Sequence, residues 1–141
     1  MPELPEVETI KRSLERHLVG ARITAVKATS DKLRIPINRG ELQAFCLGQH
    51  IHSLRRRAKF LIVAFESGKG LILHLGMTGA FRIVPADEPL LPHDRVTWEL
   101  ADGRSWRFVD THRFGSVQMC DLPGDGCDPE PLGHLDPEPL D

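Results

Sequence analysis

The sequence predicts an α+β domain in which a two-sheet antiparallel β-sandwich is flanked by two helices. Three observations predict it. Short stretches rich in β-branched and aromatic residues recur between residues 22 and 120, separated by glycine, proline, aspartate and serine turns. Two other stretches, one at the start and one after residue 38, carry apolar residues at helical spacing instead. The length, 141 residues, suits one domain large enough to bury a core.

The first helix is expected over residues 5–17. Pro5 suits the first helical position, Val7, Ile10, Leu14 and Leu18 share one face, and Gly20 is a stop signal. Residues 22–28 alternate as a strand, with Ile23 and either Ala25 or Val26 inward, and 32–35 form a shorter one. Asn38 and Glu41 have capping-box spacing and open a short helix over Leu42, Phe45 and Leu47, ended by Gly48. Strand 51–54 leads into Arg55-Arg-Arg-Ala-Lys59 and the buried run 60–65. A turn at 67–70 returns the chain through 71–75, a hairpin. A strand at 78–84 precedes a proline-rich loop at 85–92. Strands 95–100 and 105–109 form a second hairpin about a turn at 101–103, and 114–120 closes the series. The domain therefore spans 1–120. Residues 121–141 read as an acidic linker, with Asp-Pro-Glu-Pro-Leu at 128–132 and again at 136–140.

Composition excludes several classes. Apolar content of 40% and charged content of 27% are ordinary for a soluble globular chain. The longest apolar run, 60–65, is too short to span a bilayer, and charges from Glu3 onward argue against a signal peptide. Three cysteines, Cys46, Cys120 and Cys127, lack C-x-x-C spacing, so neither a disulfide framework nor a metal site is indicated, and a cytoplasmic location is expected. The net charge of −2 conceals an asymmetry: residues 1–120 carry 18 basic and 13 acidic side chains, and 121–141 carry 7 acidic and none basic. A basic body is compatible with a polyanionic partner.

The first ten residues carry the sharpest chemistry. Removal of Met1 would convert the Pro2 nitrogen from an amide into a secondary amine able to form a Schiff base. The positive end of the first helix dipole would disfavour its protonated form. Glu3 and Glu6 lie within one turn and are candidate proton carriers; the alternative is that they merely complement the dipole. Arg55-Arg-Arg-Ala-Lys59 is either a solvated strand end or a phosphate clamp. Met77, in His74-Leu-Gly-Met77-Thr-Gly79 between strands, is either core filler or an exposed wedge.

Pro2-Glu-Leu-Pro-Glu-Val-Glu8 resembles the N-terminal signature of the formamidopyrimidine-DNA glycosylases, and the resemblance extends through most of the chain. Lys59 matches the family's lysine that follows Arg-Arg-x and precedes an aromatic and Leu, which implies that it holds a phosphate beside the lesion. His74-Leu-Gly-Met77-Thr-Gly79 resembles the family's His-Leu-Gly-Met-Ser/Thr-Gly, whose methionine enters the duplex where the damaged nucleotide was. Asp110-Thr-His-Arg113-Phe-Gly115 resembles Asp-Pro-Arg-Arg-Phe-Gly. Phe114 then matches the aromatic wedge and Arg113 the second arginine, while His112 stands where the first arginine recognises the opposite cytosine. His93-Asp94 resembles a His-Asp pair placed near the DNA backbone. The same β-sandwich is what the family implies.

That resemblance implies a bifunctional glycosylase and AP lyase acting through a Pro2 Schiff base, with Glu3 as principal proton shuttle and Glu6 in support. The implied partner is double-stranded DNA holding an oxidised purine or an abasic site; a monomer is expected. No cofactor is expected in this chain, because the family's zinc finger and helix-two-turn-helix element lie beyond residue 141. The alternatives are a structural fragment lacking activity, a non-catalytic DNA-binding module, and a glycosylase of the endonuclease VIII type for oxidised pyrimidines. Pro2-Glu-Leu-Pro-Glu-Val favours the purine branch over the last.

Overall fold

The computed structural model describes residues 4–29, 37–76, 79–112 and 115–122, the side chains of Leu4 and Pro5 excepted. In chain order the elements are α1 (Leu4–Leu18), β1 (Ile23–Ala28), α2 (Arg39–Cys46), β2 (Ile51–Arg57), β3 (Phe60–Phe65), β4 (Lys69–His74), β5 (Ala80–Pro85), β6 (Asp94–Leu100), β7 (Arg104–Val109) and β8 (Ser116–Asp121). They form two antiparallel four-stranded sheets, ordered β1-β6-β7-β5 and β2-β3-β4-β8, as the strand pattern predicts. Helix α1 packs on β2 and β3, and α2 on β1. Trp98 and Trp106 stack at 4.1 Å in the core, among Leu18, Ile23, Ile51, Leu61 and Leu71. A second small cluster, Ile62, Ile72 and Cys120, lies on the opposite face of the second sheet.

The differences from the expected boundaries have local causes. In β1 a register shift between Ile23 and Ala25 resets the alternation, so Ile23 and Val26 are the buried pair. Asn38 Oδ1 accepts from the Glu41 amide at 3.0 Å, the expected cap of α2, but the helix ends at Cys46 and Leu47 is exposed. The expected strand 51–54 is longer: Arg55, Arg56 and Arg57 belong to β2 itself, paired with Ile62, Leu61 and Phe60 and half-buried at its end. Only Ala58 and Lys59 remain as the turn, with Ala58 at φ +54°. In the following turn Gly68 takes φ +91°, which lets β4 begin at Lys69. The expected strand at 32–35 and the tail from 123 lie outside the described residues.

The topology brings several loops to one end of the sandwich. Gly20 N donates to the Ile51 carbonyl near the start of β2, while Glu8 meets Arg56 near the end of β2. Helix α1 is thus antiparallel to β2, and its first turn lies toward Ala58–Lys59. The paired row Arg57, Phe60, His74 and Ser116 marks that end of the second sheet. Ala80, Val109 and Asp94 mark the corresponding end of the first. Of the connections between the sheets, 75–79 and 110–115 both leave one sheet and join the other at that end.

Candidate functional site

Lys59 sits half-buried in the β2–β3 turn, and among the described residues its ammonium has no hydrogen bond or ion pair. The turn is fastened to helix α1 by one guanidinium. Arg56 Nε donates to Glu8 Oε1 at 3.0 Å, and its Nη1 donates to the Ala58 carbonyl at 3.1 Å. Burial alone would raise the Glu8 carboxyl; hydrogen bonds from Arg56 and Arg12, with the Lys11 ammonium, outweigh it and hold the group below its ordinary value. Leu4 lies four residues before Glu8, about 6 Å along the axis at a helical rise. Glu6 is exposed on that first turn. Pro2 and Glu3 lie outside the described residues.

His74 lies within the expected strand 71–75 as the last residue of β4, buried, with its ring 4.9 Å from that of Phe60. Its Nδ1 accepts from the Gly76 amide at 3.0 Å, so this nitrogen shapes the backbone leading to Met77 and is not open to a ligand. Gly79 closes the connection: a Cβ there would collide with the Leu75 carbonyl. Met77 lies outside the described residues.

Connection 110–115 is built from its buried base upward. Asp110 is fully buried, and its Oδ2 accepts from the Gly115 amide at 2.8 Å. Its own amide donates to the His93 carbonyl at 2.9 Å. Arg95, also buried, donates from Nε to the Asp110 carbonyl at 2.8 Å and from Nη2 to the Thr111 carbonyl at 3.2 Å. The same Nη2 lies 3.4 Å from His93 Nδ1; arginine offers no acceptor, so that contact keeps the His93 proton on Nε2. His93 and His112 are exposed on either side. Arg113 and Phe114 lie outside the described residues.

The structure therefore gathers Lys59, His93 and His112, with the first turn bearing Glu6, toward one end of the sandwich, and puts His74 beneath it. Sequence reasoning missed Arg56, Arg95 and Asp110, which touch the turn and the loop that these residues occupy. Asp94 had no role of its own in the sequence beyond its place after His93. In the structure it is fully buried and accepts from Arg82 at 2.8 Å and from the Leu91 amide at 2.8 Å, anchoring the segment before His93. An arginine two residues after His93, at alternating strand spacing, was the available signal for Arg95. Among the described residues no group of three or more His, Cys, Asp or Glu comes together, so these residues do not supply a zinc ligand set. Cys46 and Cys120 are separate buried thiols.

Comparison with known proteins agrees with this architecture. The family model for the formamidopyrimidine-DNA glycosylase N-terminal domain matches residues 1–117. The formamidopyrimidine-DNA glycosylase of Stutzerimonas stutzeri (strain A1501) is 43% identical over 145 residues, covering 99% of this chain and 50% of the relative. That of Xanthomonas campestris pv. campestris (strain 8004) is 45% identical over 141 residues, with the same coverage. The chain thus spans about half the length of these relatives. Among solved structures, Lactococcus lactis formamidopyrimidine-DNA glycosylase bound non-covalently to DNA containing an AP site superposes with a TM-score of 0.78 at 32% identity. That match covers 85% of this chain and 45% of the other. The wild-type Lactococcus lactis enzyme with DNA containing N7-benzyl-Fapy-dG gives 0.79 at 33%, covering 85% and 44%. With its two-sheet fold, its loops at one end and a family match over most of its length, the chain belongs to the formamidopyrimidine-DNA glycosylase N-terminal domain family.

Proposed function

We propose that this chain is the catalytic N-terminal half of a base-excision repair glycosylase with AP lyase activity, acting on oxidised purines such as 8-oxoguanine and formamidopyrimidines in double-stranded DNA. Residues 1–120 are its catalytic domain and 121–141 a linker toward a helix-two-turn-helix and zinc-finger half; it works as a monomer in the cytoplasm. The observation that carries the reading is the junction of α1 with the β2–β3 turn through Arg56, which directs the start of the helix toward the turn that bears Lys59.

In this reading the Pro2 amine attacks C1′ of the flipped nucleotide. The bond from C1′ to the base breaks and the base leaves with the amine's proton. The C1′–O4′ bond then opens, its electron pair and a proton going to O4′, and the nitrogen is left doubly bonded to C1′ as an iminium. Glu3 carries these protons and those of the later eliminations, with Glu6 in support. Lys59 holds a backbone phosphate. Met77, His112 and Phe114 fill the gap that extrusion leaves, with Arg113 beside them, and His93 lies near the backbone.

The test joins this chain to the C-terminal half of the Stutzerimonas stutzeri relative, removes Met1, and adds borohydride with a duplex holding an abasic site. The expected result is a covalent protein–DNA adduct that disappears when Met1 is retained, because the Pro2 nitrogen is then an amide. This chain alone should trap far more weakly. An adduct formed equally well with Met1 retained would move the nucleophile elsewhere, with Lys59 the first candidate.

A further inference from the structure

We propose that Arg95 is the positioning residue of connection 110–115, holding the backbone that presents His112 to the base left opposite an extruded nucleotide. The statement rests on the DNA-facing reading above only for its last clause. Arg95 is 8% exposed, yet none of its hydrogen bonds goes to a carboxylate among the described residues. Burying a guanidinium without an ion-pair partner is costly unless its donors are satisfied. Here they go to two successive carbonyls, Asp110 and Thr111, and to His93 Nδ1.

Those two carbonyls immediately precede His112. A planar fork that meets both at once fixes the direction of the peptide between them, which a single-point cation cannot do. From the other side Asp110 Oδ2 takes the Gly115 amide and closes the loop. Gly115 has no room for a side chain: a Cβ would lie 2.6 Å from the His74 carbonyl. Both ends of the loop are therefore fixed, and Arg95 sets the limb that carries His112. The motif this loop resembles has proline at the position of Thr111. Proline fixes its own φ, whereas threonine does not; a side-chain clamp supplies the missing constraint from outside the loop.

Two variants separate a fork from a charge. Arg95→Lys keeps the cation and most of the stem; Arg95→Met removes every donor. Amide hydrogen exchange in the 141-residue chain should rise at least about tenfold across 110–115 in both, with residues 105–108 in β7 unchanged. Should the methionine variant fail to fold, the lysine variant decides alone. Loop exchange in Arg95→Lys equal to the parent overturns the clamp. In the joined protein, Arg95→Lys should narrow the spread of excision rates over the four opposite bases while borohydride trapping on single-stranded abasic DNA stays constant. An unchanged spread overturns the role in presenting His112. A parent that traps nothing overturns the proposed function and with it that role, leaving the exchange measurement to decide the clamp.

Discussion

At the scale of single residues, burial suppresses the chemistry of both described cysteines. Burial pushes the Cys46 thiol up to about 12, with the Trp98 indole pulling slightly the other way, and pushes Cys120 up to about 11, aided by Asp121. Both should therefore resist alkylation at pH 8 in the folded chain and react once it is unfolded; peptide mass mapping after iodoacetamide treatment reads the difference. Modification of native Cys46 would mean that its burial is not maintained in solution. Gly115 tests the loop itself. Gly115→Ala drives a methyl into the His74 carbonyl and the Phe108 ring, neither of which is the far end of a flexible chain. It should cost about 2 kcal/mol or more in urea denaturation, as overpacking against fixed atoms does.

At the scale of elements, helix α1 is held to the sheet by Leu14, Leu18 and Val7 in the core and by the Glu8–Arg56 pair at its rim. Arg56 is only 11% exposed and holds two acceptors on different elements, so Arg56→Met should destabilise the chain by about 1–3 kcal/mol. In the joined protein it should slow trapping more than it weakens DNA binding, because the helix N-terminus loses its register with Lys59. The pair also makes a pH prediction. The Glu8 pKa is lowered in the folded state, so its contribution is present at neutral pH and disappears as pH falls below 4.5 through the folded value. Glu8→Gln should narrow the gap between stability at pH 7 and at pH 3, measured by urea denaturation. Element types were legible in the sequence because alternation and helical spacing are local, and Asn38–Glu41 capping was readable outright. The arginines were not. A run of three reads as a solvated end until the partner strand is known, and pairing with Phe60–Phe65 is what turns Arg56 inward beside Leu61.

At the scale of the molecule, the basic charge of residues 1–120 overstates what is open to a phosphate. Many of the cations that make residues 1–120 basic are neutralised internally. Arg56 pairs with Glu8, Arg82 with Asp94 and Glu88, Arg104 with Asp102, and Lys11 and Arg12 with acids on α1. Arg107 is fully buried, bonded to the Glu88 and Pro89 carbonyls, and Arg95 is engaged by the loop. What the site end offers a phosphate is therefore a few groups, of which Lys59 is the one described with no internal partner. Each phosphate contact contributes about −0.9 to the slope of log affinity against log salt. For the joined protein on a duplex with an abasic site, Lys59→Ala should reduce the magnitude of that slope by about 0.9, measured by fluorescence anisotropy from about 50 to 200 mM salt. Arg95→Lys keeps the same formal charge and makes no phosphate contact in this assignment, so it should leave the slope unchanged. The same is expected of Arg82→Lys. A slope that responds to Arg82 as strongly as to Lys59 would mean that binding senses only the overall field, and the assignment of Lys59 to a backbone phosphate would fail.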